Sequence, residues 1–200
     1  MSEAINEKKV GHYLIEIFPD NNPDDPRNWD NLGIMVCHHS RYDLGDGHEY
    51  DQNDYSGWDE MEKAIVKENN VAVILPLYLY DHSGITISTT PFSCRWDSGK
   101  IGFIYVSKED VLKEFGGRIV TKKLKEKAEA ILKGEVKTYD QYLRGDIYGY
   151  KISKVSICDQ GNEHEEEIDS VWGFYGEDEC MEEAEGIVQY YIEKETEKAA

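Results

Sequence analysis

The sequence predicts an α+β fold with a mainly antiparallel sheet and several flanking helices, and three observations lead there. Strand-like runs come before, between and after the helix-like runs, without the regular strand–helix alternation of a parallel sheet. Two of those runs are joined by a tight turn, Asp81-His-Ser-Gly84, as a hairpin requires. The 200 residues can bury roughly 70% of their unfolded surface, and no Pro/Gly/Ser-rich linker or internal repeat divides them. Together these predict a single α+β domain over residues 1–200, closing with an acidic strand and amphipathic helix over residues 170–198.

The elements follow in order. Val10 to Phe18 reads as a first strand, and the breakers Pro19-Asp-Asn-Asn-Pro-Asp-Asp-Pro end it. Leu32 to Cys37 is a short apolar strand. Asp43 to Gly57 is an acidic loop leading to a helix over Trp58 to Lys67, with Trp58, Met61, Ala64 and Ile65 inward. Val71 to Tyr80 is almost continuously apolar, as a strand covered on both faces should be. Ile85 to Thr89 alternates at period two, and Gly84 in the preceding turn supplies a positive φ. Ile101 to Val106 is a further strand. Ser107-Lys-Glu-Asp110 is a capping pattern that opens a helix, and Gly116 closes it. Thr121 to Lys133 lines up Leu124, Ala128, Ile131 and Leu132, with Gly134 as a stop, and a shorter helix spans Thr138 to Arg144. Ile147 to Ile157 and Ser170 to Tyr175 read as strands. The acidic run from Asp159 to Glu167 between them is the loosest joint. Asp178 to Lys198 is the terminal helix, with Met181, Ala184, Ile187, Val188, Tyr191 and Ile192 on one arc.

Charge narrows the function classes. There are 41 Asp and Glu against 22 Lys and Arg, a net charge of −19. Such a balance argues against direct binding to nucleic acid, which needs excess cations for the phosphates, and against docking on anionic lipid. No apolar window is long enough for a membrane span, and the start lacks the features of a signal peptide. Cys37, Cys94, Cys158 and Cys180 form no C-x-x-C pair and read as reduced thiols of a cytoplasmic protein. The charge is also uneven: residues 1–70 sum to −10, residues 71–158 to +4 and residues 159–200 to −13.

The terminal region therefore carries the leading functional expectation. Residues 178–197 hold eight acids and one lysine, about one net charge per 4 Å of helix, close to the phosphate spacing of one DNA strand. Glu165, Glu166, Glu167, Asp178, Glu179, Glu182, Glu183 and Glu185 are the candidate partner-binding residues, presenting a DNA-like surface to a basic protein. The plain alternative is a solvated helix face. A second is internal neutralisation by the segment Arg118 to Lys133, which is net +4.

A different class of function comes from the polar centre of the chain. Asp81-His-Ser-Gly84 and Cys94-Arg-Trp-Asp-Ser-Gly99 sit at the ends of neighbouring strands. A hydrolase site could be built there with Cys94 as nucleophile, His82 as base and Asp81 or Asp97 as orienting acid. Neither a G-x-S-x-G elbow nor a thiol-hydrolase signature accompanies them, and Asp and Ser are common turn residues. Cys37-His-His39 suggests a metal-stabilised binding module, with Cys94 or His82 completing four ligands. On a strand, however, Cys37 and His38 point to opposite faces. Read as a calcium loop, Asp51 to Glu62 has Tyr55 at a ligand position and Ser56 where glycine is needed. No phosphate-binding glycine motif occurs, and no cofactor is expected.

Several strings carry a resemblance: Asp30-Asn-Leu-Gly-Ile-Met-Val-Cys37, Leu77-Tyr-Leu-Tyr-Asp-His-Ser-Gly84, Phe92-Ser-Cys-Arg-Trp-Asp-Ser-Gly99, Gly102-Phe-Ile-Tyr-Val106, Tyr139-Asp-Gln-Tyr-Leu-Arg-Gly145 and Ser170-Val-Trp-Gly-Phe-Tyr-Gly176. Together they resemble a family of small proteins from phages and other mobile elements, over about residues 30–176. No activity is assigned to that family, so no catalytic residue is carried over. The resemblance implies a host-cell cytoplasm and a setting in which inhibitors of bacterial defence are common. Charge and resemblance together give the expectation of an accessory, anti-defence protein. It would bind and block a basic, nucleic-acid-binding host protein such as a defence nuclease.

Overall fold

The computed structural model describes residues 3–94, 96–158 and 160–199, and it departs from the sequence reading first at Gly11. There the backbone takes φ +63, and the expected first strand becomes a hairpin of β1 (Asn6–Val10) and β2 (Tyr13–Pro19). A glycine at the first position of a two-residue turn accepts the positive φ that hairpin twist demands. Later elements are β3 (Ile34–Cys37), α1 (Trp58–Glu68), β4 (Val71–Asp81), β5 (Ile85–Ser88), β6 (Ser98–Ser107), α2 (Lys108–Phe115), α3 (Lys122–Arg144), β7 (Ile147–Ile157), β8 (Glu163–Tyr175) and α4 (Glu177–Ala199). Among the described residues every strand pairing is antiparallel, in two four-stranded sheets, so the fold is α+β.

The chain divides into two compact units. Unit 1 comprises the residues up to Asp24 and those from Gly145 onward; unit 2 comprises Asp25–Arg144. The sheet of unit 1 has the order β1-β2-β7-β8. Alternation in Tyr13-Leu-Ile-Glu-Ile-Phe18 sends Tyr13, Ile15 and Ile17 to one face, where they join Tyr150 and Ile152. α4 covers that face, its small Cys180 and Ala184 and its Val188 all fully buried. β8 begins earlier than the sequence suggests. Residues 163–167, read as part of a loop, pair with Ser153–Ile157, because β7 runs its full length and offers them a ladder. Asp159, where that joint was expected to begin, lies outside the described residues.

In unit 2 the sheet order is β3-β6-β4-β5. α3 packs Ala128, Leu132, Val136 and Tyr139 against one face, on Met35, Leu77, Leu79 and Ile104. On the other face Met61 and Ile65 of α1 pack on Val36, Phe103 and Tyr105. β3 shows the alternation directly, with Met35 and Cys37 in the first cluster and Val36 in the second. The expected break at Gly134 is absent: α3 is continuous for 23 residues. The buried stripe 128–132–136–139 keeps helical spacing through the glycine, and its packing outweighs a propensity cost of about 1 kcal/mol. The capping pattern forms as expected, with the Asp110 N–H donating to Ser107 Oγ at 3.0 Å and Gly116 ending α2 at φ +74. In the β4–β5 turn both Ser83 and Gly84 have positive φ, at 58 and 148.

A buried ion network joins the segment before β3 to α3. Asp25 caps a short 3₁₀ turn, Pro26–Asn28, which directs the Arg27 side chain inward until only 4% of it is exposed. Its guanidinium donates to both oxygens of Asp46 (2.9 and 2.6 Å), to Glu135 (3.3 Å) and to the Gly33 carbonyl (2.7 Å). Asp46 in turn accepts the Met35 N–H at 2.7 Å and Glu135 the Leu32 N–H at 2.8 Å. Burial works against the Arg27 charge, but the two carboxylates outweigh it and raise its pKa. Among the described residues no helix is long and apolar enough to cross a membrane.

Candidate functional site

Unit 1 contains 21 acids and six lysines, a net −15, while unit 2 carries the remaining −4. The N-terminal hairpin and the C-terminal stretch, remote in sequence, thus build one acidic body. On the sheet face away from α4, strand alternation concentrates that charge. Glu7 stands directly opposite Glu16 across β1 and β2, and Glu16 stands opposite Lys151 across β2 and β7. Glu165 and Glu167 of β8 reach the same face. With Glu3, Phe18 and Trp172 they line a groove of about 770 Å³.

Lys151 is the one cation among the described lining residues. It bridges Glu167 at 3.4 Å, and its ammonium lies 5.5 Å from the centre of the Phe18 ring. One lysine does not balance these carboxylates. Burial, then Glu165 and Glu7, push the Glu16 carboxyl above its ordinary pKa, against the opposing pull of Lys151. Like charges directly opposite on paired strands destabilise a sheet, so the Glu7–Glu16 pair carries an electrostatic cost. Trp172, 45% exposed, lies along the end of the groove. Gly149 permits this, since a Cβ there would come within 2.3 Å of the indole Cε3.

Of the eight expected partner-binding residues, Glu165 and Glu167 stand in this groove. Glu166, opposite Lys154, shares the α4 side of β8. Asp178, Glu179, Glu182 and Glu183 are exposed on α4. Glu185 is tied to Lys8 at 2.5 Å. Because α4 covers the reverse of the sheet, its acids form a surface separate from the groove. Among the described residues no basic side chain comes within salt-bridge distance of Glu165, Glu166, Asp178, Glu179, Glu182 or Glu183. Glu3, Glu7 and Glu16 were not anticipated. The signal for them was Gly11: a hairpin turn there brings Glu7 opposite Glu16.

The proposed hydrolytic group is brought together, but in a different order. Asp97 is the shared neighbour: the Cys94 thiol donates to its Oδ2 at 3.5 Å, and His82 Nδ1 lies 3.7 Å from the same oxygen. A nucleophile–base–acid relay needs the imidazole between thiol and carboxylate. Here the carboxylate occupies the middle, so it accepts the thiol proton's hydrogen bond in place of a base that could remove the proton. Asp81 is engaged by the Arg41 guanidinium. Beside this group a polar cavity of about 720 Å³ is walled by Arg41, Asp81, Asp97, Lys100, Trp58 and the almost fully exposed Trp96.

The Cys37-His-His39 cluster does not converge. Cys37 is buried, and desolvation and Asp46 push its thiol up to about 12. His39 Nδ1 accepts the Arg41 N–H at 3.3 Å, and His38 packs edge-on against His48. Asp51 spends its carboxylate on the Asn53 backbone and side chain in a 3₁₀ turn, away from any calcium geometry. Among the described residues no three His, Cys, Asp or Glu side chains are grouped to hold a metal ion. No family model, curated protein or solved structure matches the chain.

Proposed function

We propose that this chain is a binding protein that engages and blocks a basic protein surface through the carboxylate groove of unit 1. The observation that carries the reading is Glu16. Its carboxyl is set among Glu7, Glu165 and Glu167, with a raised pKa and a single lysine in compensation. An incoming cation relieves that repulsion, so binding recovers what folding left unfavourable. Trp172, 45% exposed, supplies a ring face for an Arg or Lys beside the carboxylates. The resemblance to phage and mobile-element proteins supports a nucleic-acid-handling host protein, such as a defence nuclease, as the one blocked. Such proteins carry the basic channels that an acidic surface can occupy.

The test is capture from host lysate with wild-type protein and two charge-reversed variants, at roughly 50 mM and 500 mM salt. The groove variant is Glu16→Lys with Glu165→Lys, and the helix variant is Glu182→Lys with Glu183→Lys. The expected result is a basic partner retained at low salt, released at high salt and lost with the groove variant. Capture that survives the groove variant and high salt removes the reading. Loss with the helix variant alone moves the binding surface to α4.

A further inference from the structure

β8 is an edge strand of thirteen residues, paired with β7 on one side and, among the described residues, with no strand on the other. An open edge presents a row of N–H and C=O groups ready to pair with another chain, and native sheets cover it, twist it away or charge it. Here the protection is charge of one sign together with two register shifts along the strand. Residues 163–167 are all exposed and include Glu163, Glu165, Glu166 and Glu167, while Val171 and Trp172 further along remain 40% and 45% exposed. Carboxylates repel the same edge of a second copy. They do not repel a strand of the opposite sign, and for that strand they are the attraction.

Resting on the reading proposed above, we infer that the partner supplies an extended basic segment that adds to β8 as a fifth strand of the unit 1 sheet. Side chains two apart on a strand share a face, about 6.6–6.8 Å from one another. Lys or Arg residues at i and i+2 of the incoming segment therefore stand over Glu165 and Glu167, which line the groove. Directly opposed residues on paired strands come within about 4.5–5.5 Å. The irregularity in β8 opposite Ile152 and Ser153 keeps Trp172 on that same face, where it meets an apolar residue of the segment. Main-chain pairing gives the affinity and the charge alternation the selectivity, as in other strand-addition complexes. The occupant follows from charge complementarity. β1 of a second copy is a poorer match, because its Lys8 and Lys9 are already bound to Glu185 and Glu163, and Glu7 shares its groove side with Lys9.

The experiment uses the full chain and two labelled peptides of about ten residues with alternating Lys and Val. One is unmodified; the other is N-methylated at alternate amides on its pairing edge, which keeps the charge and removes the donors for a new ladder. Binding is read by fluorescence anisotropy, and hydrogen exchange is followed along β8. The expected result is that the unmodified peptide binds and slows exchange within residues 163–172. N-methylation should weaken it about tenfold or more, and Glu165→Lys with Glu167→Lys should abolish binding. Equal binding of both peptides without slowed exchange in β8 overturns strand addition while leaving the acidic groove reading in place. Binding of neither peptide overturns both. Protection of β8 that grows with protein concentration in the absence of peptide overturns the inference in favour of a second copy.

Discussion

Arg27→Met is a substitution whose consequence the structure makes calculable. It removes a guanidinium that is 4% exposed and makes four hydrogen bonds to Asp46, Glu135 and Gly33. Two carboxylates, 21% and 10% exposed, are then left together without their cation. Breaking a buried ion pair by removing one partner costs about 3–5 kcal/mol. Asp46 and Glu135 keep the Met35 and Leu32 N–H donors, which places the expectation at the lower end, about 3–4 kcal/mol. For the 120 residues of unit 2, whose total stability should be about 6–18 kcal/mol, that is a large fraction. The assay is hydrogen exchange against urea, read peptide by peptide so that α3 reports unit 2 and β7 reports unit 1. The loss should appear in α3. Adding Asp46→Asn and Glu135→Gln should restore much of it, since both amides still accept the backbone N–H groups. A loss below about 1 kcal/mol, or no recovery in the triple variant, refutes the account of Arg27 as the tie between the β3 approach and α3.

Three further outcomes follow from single contacts. Glu16→Gln should stabilise unit 1 by about 0.5–1 kcal/mol near neutral pH. Because the folded-state pKa of Glu16 is raised, that advantage is present above it, shrinks as pH falls through it and is gone below the ordinary carboxylate range, which urea titrations across pH will check. Gly102→Ala places a Cβ 1.8 Å from the Val36 carbonyl oxygen and must push β3 off β6. A drop of about 3 kcal/mol or more is expected, and an unchanged melting temperature contradicts it. Ser107→Ala removes the acceptor of the Asp110 N–H and should cost about 1 kcal/mol, with Ser107→Asn recovering most of it in the same melt.

Where the fold was legible, a local pattern coincided with the tertiary demand. Ser107 with Asp110, the stripe of α4 and the apolar run of β4 each state their role within a dozen residues. The misses share a cause in long-range pairing. Gly134 looked like a helix stop because a glycine stops a helix on its own terms, and only the sheet beneath Leu132, Val136 and Tyr139 carries α3 past it. Residues 163–167 looked like a solvated loop because five polar residues in a row have no period-two signal. Pairing with Ser153–Ile157 makes them a strand. The candidate surface was half legible for the same reason. Glu165 and Glu167 announced themselves by clustering, whereas Glu7 and Glu16 acquire meaning only once Gly11 turns the chain.

That hairpin also gives a way to tell a charge kept for binding from a charge kept for solubility. An acidic coat that only keeps a protein apart from its neighbours has no need to place Glu7 against Glu16, with Glu165 and Glu167 on the same face. Glu7→Lys distinguishes the two. It converts a repulsive cross-strand pair into an attractive one, so it should stabilise unit 1 by about 0.5–1 kcal/mol. In the same stroke it lowers the charge facing a basic partner by two. If the groove binds, stability rises while affinity falls and its salt dependence flattens. A variant more stable than wild type and equally able to capture its partner would mean that Glu7 and Glu16 are frustrated for a reason unconnected with binding. The trade between the two measurements, more than either alone, identifies a surface held under strain for use.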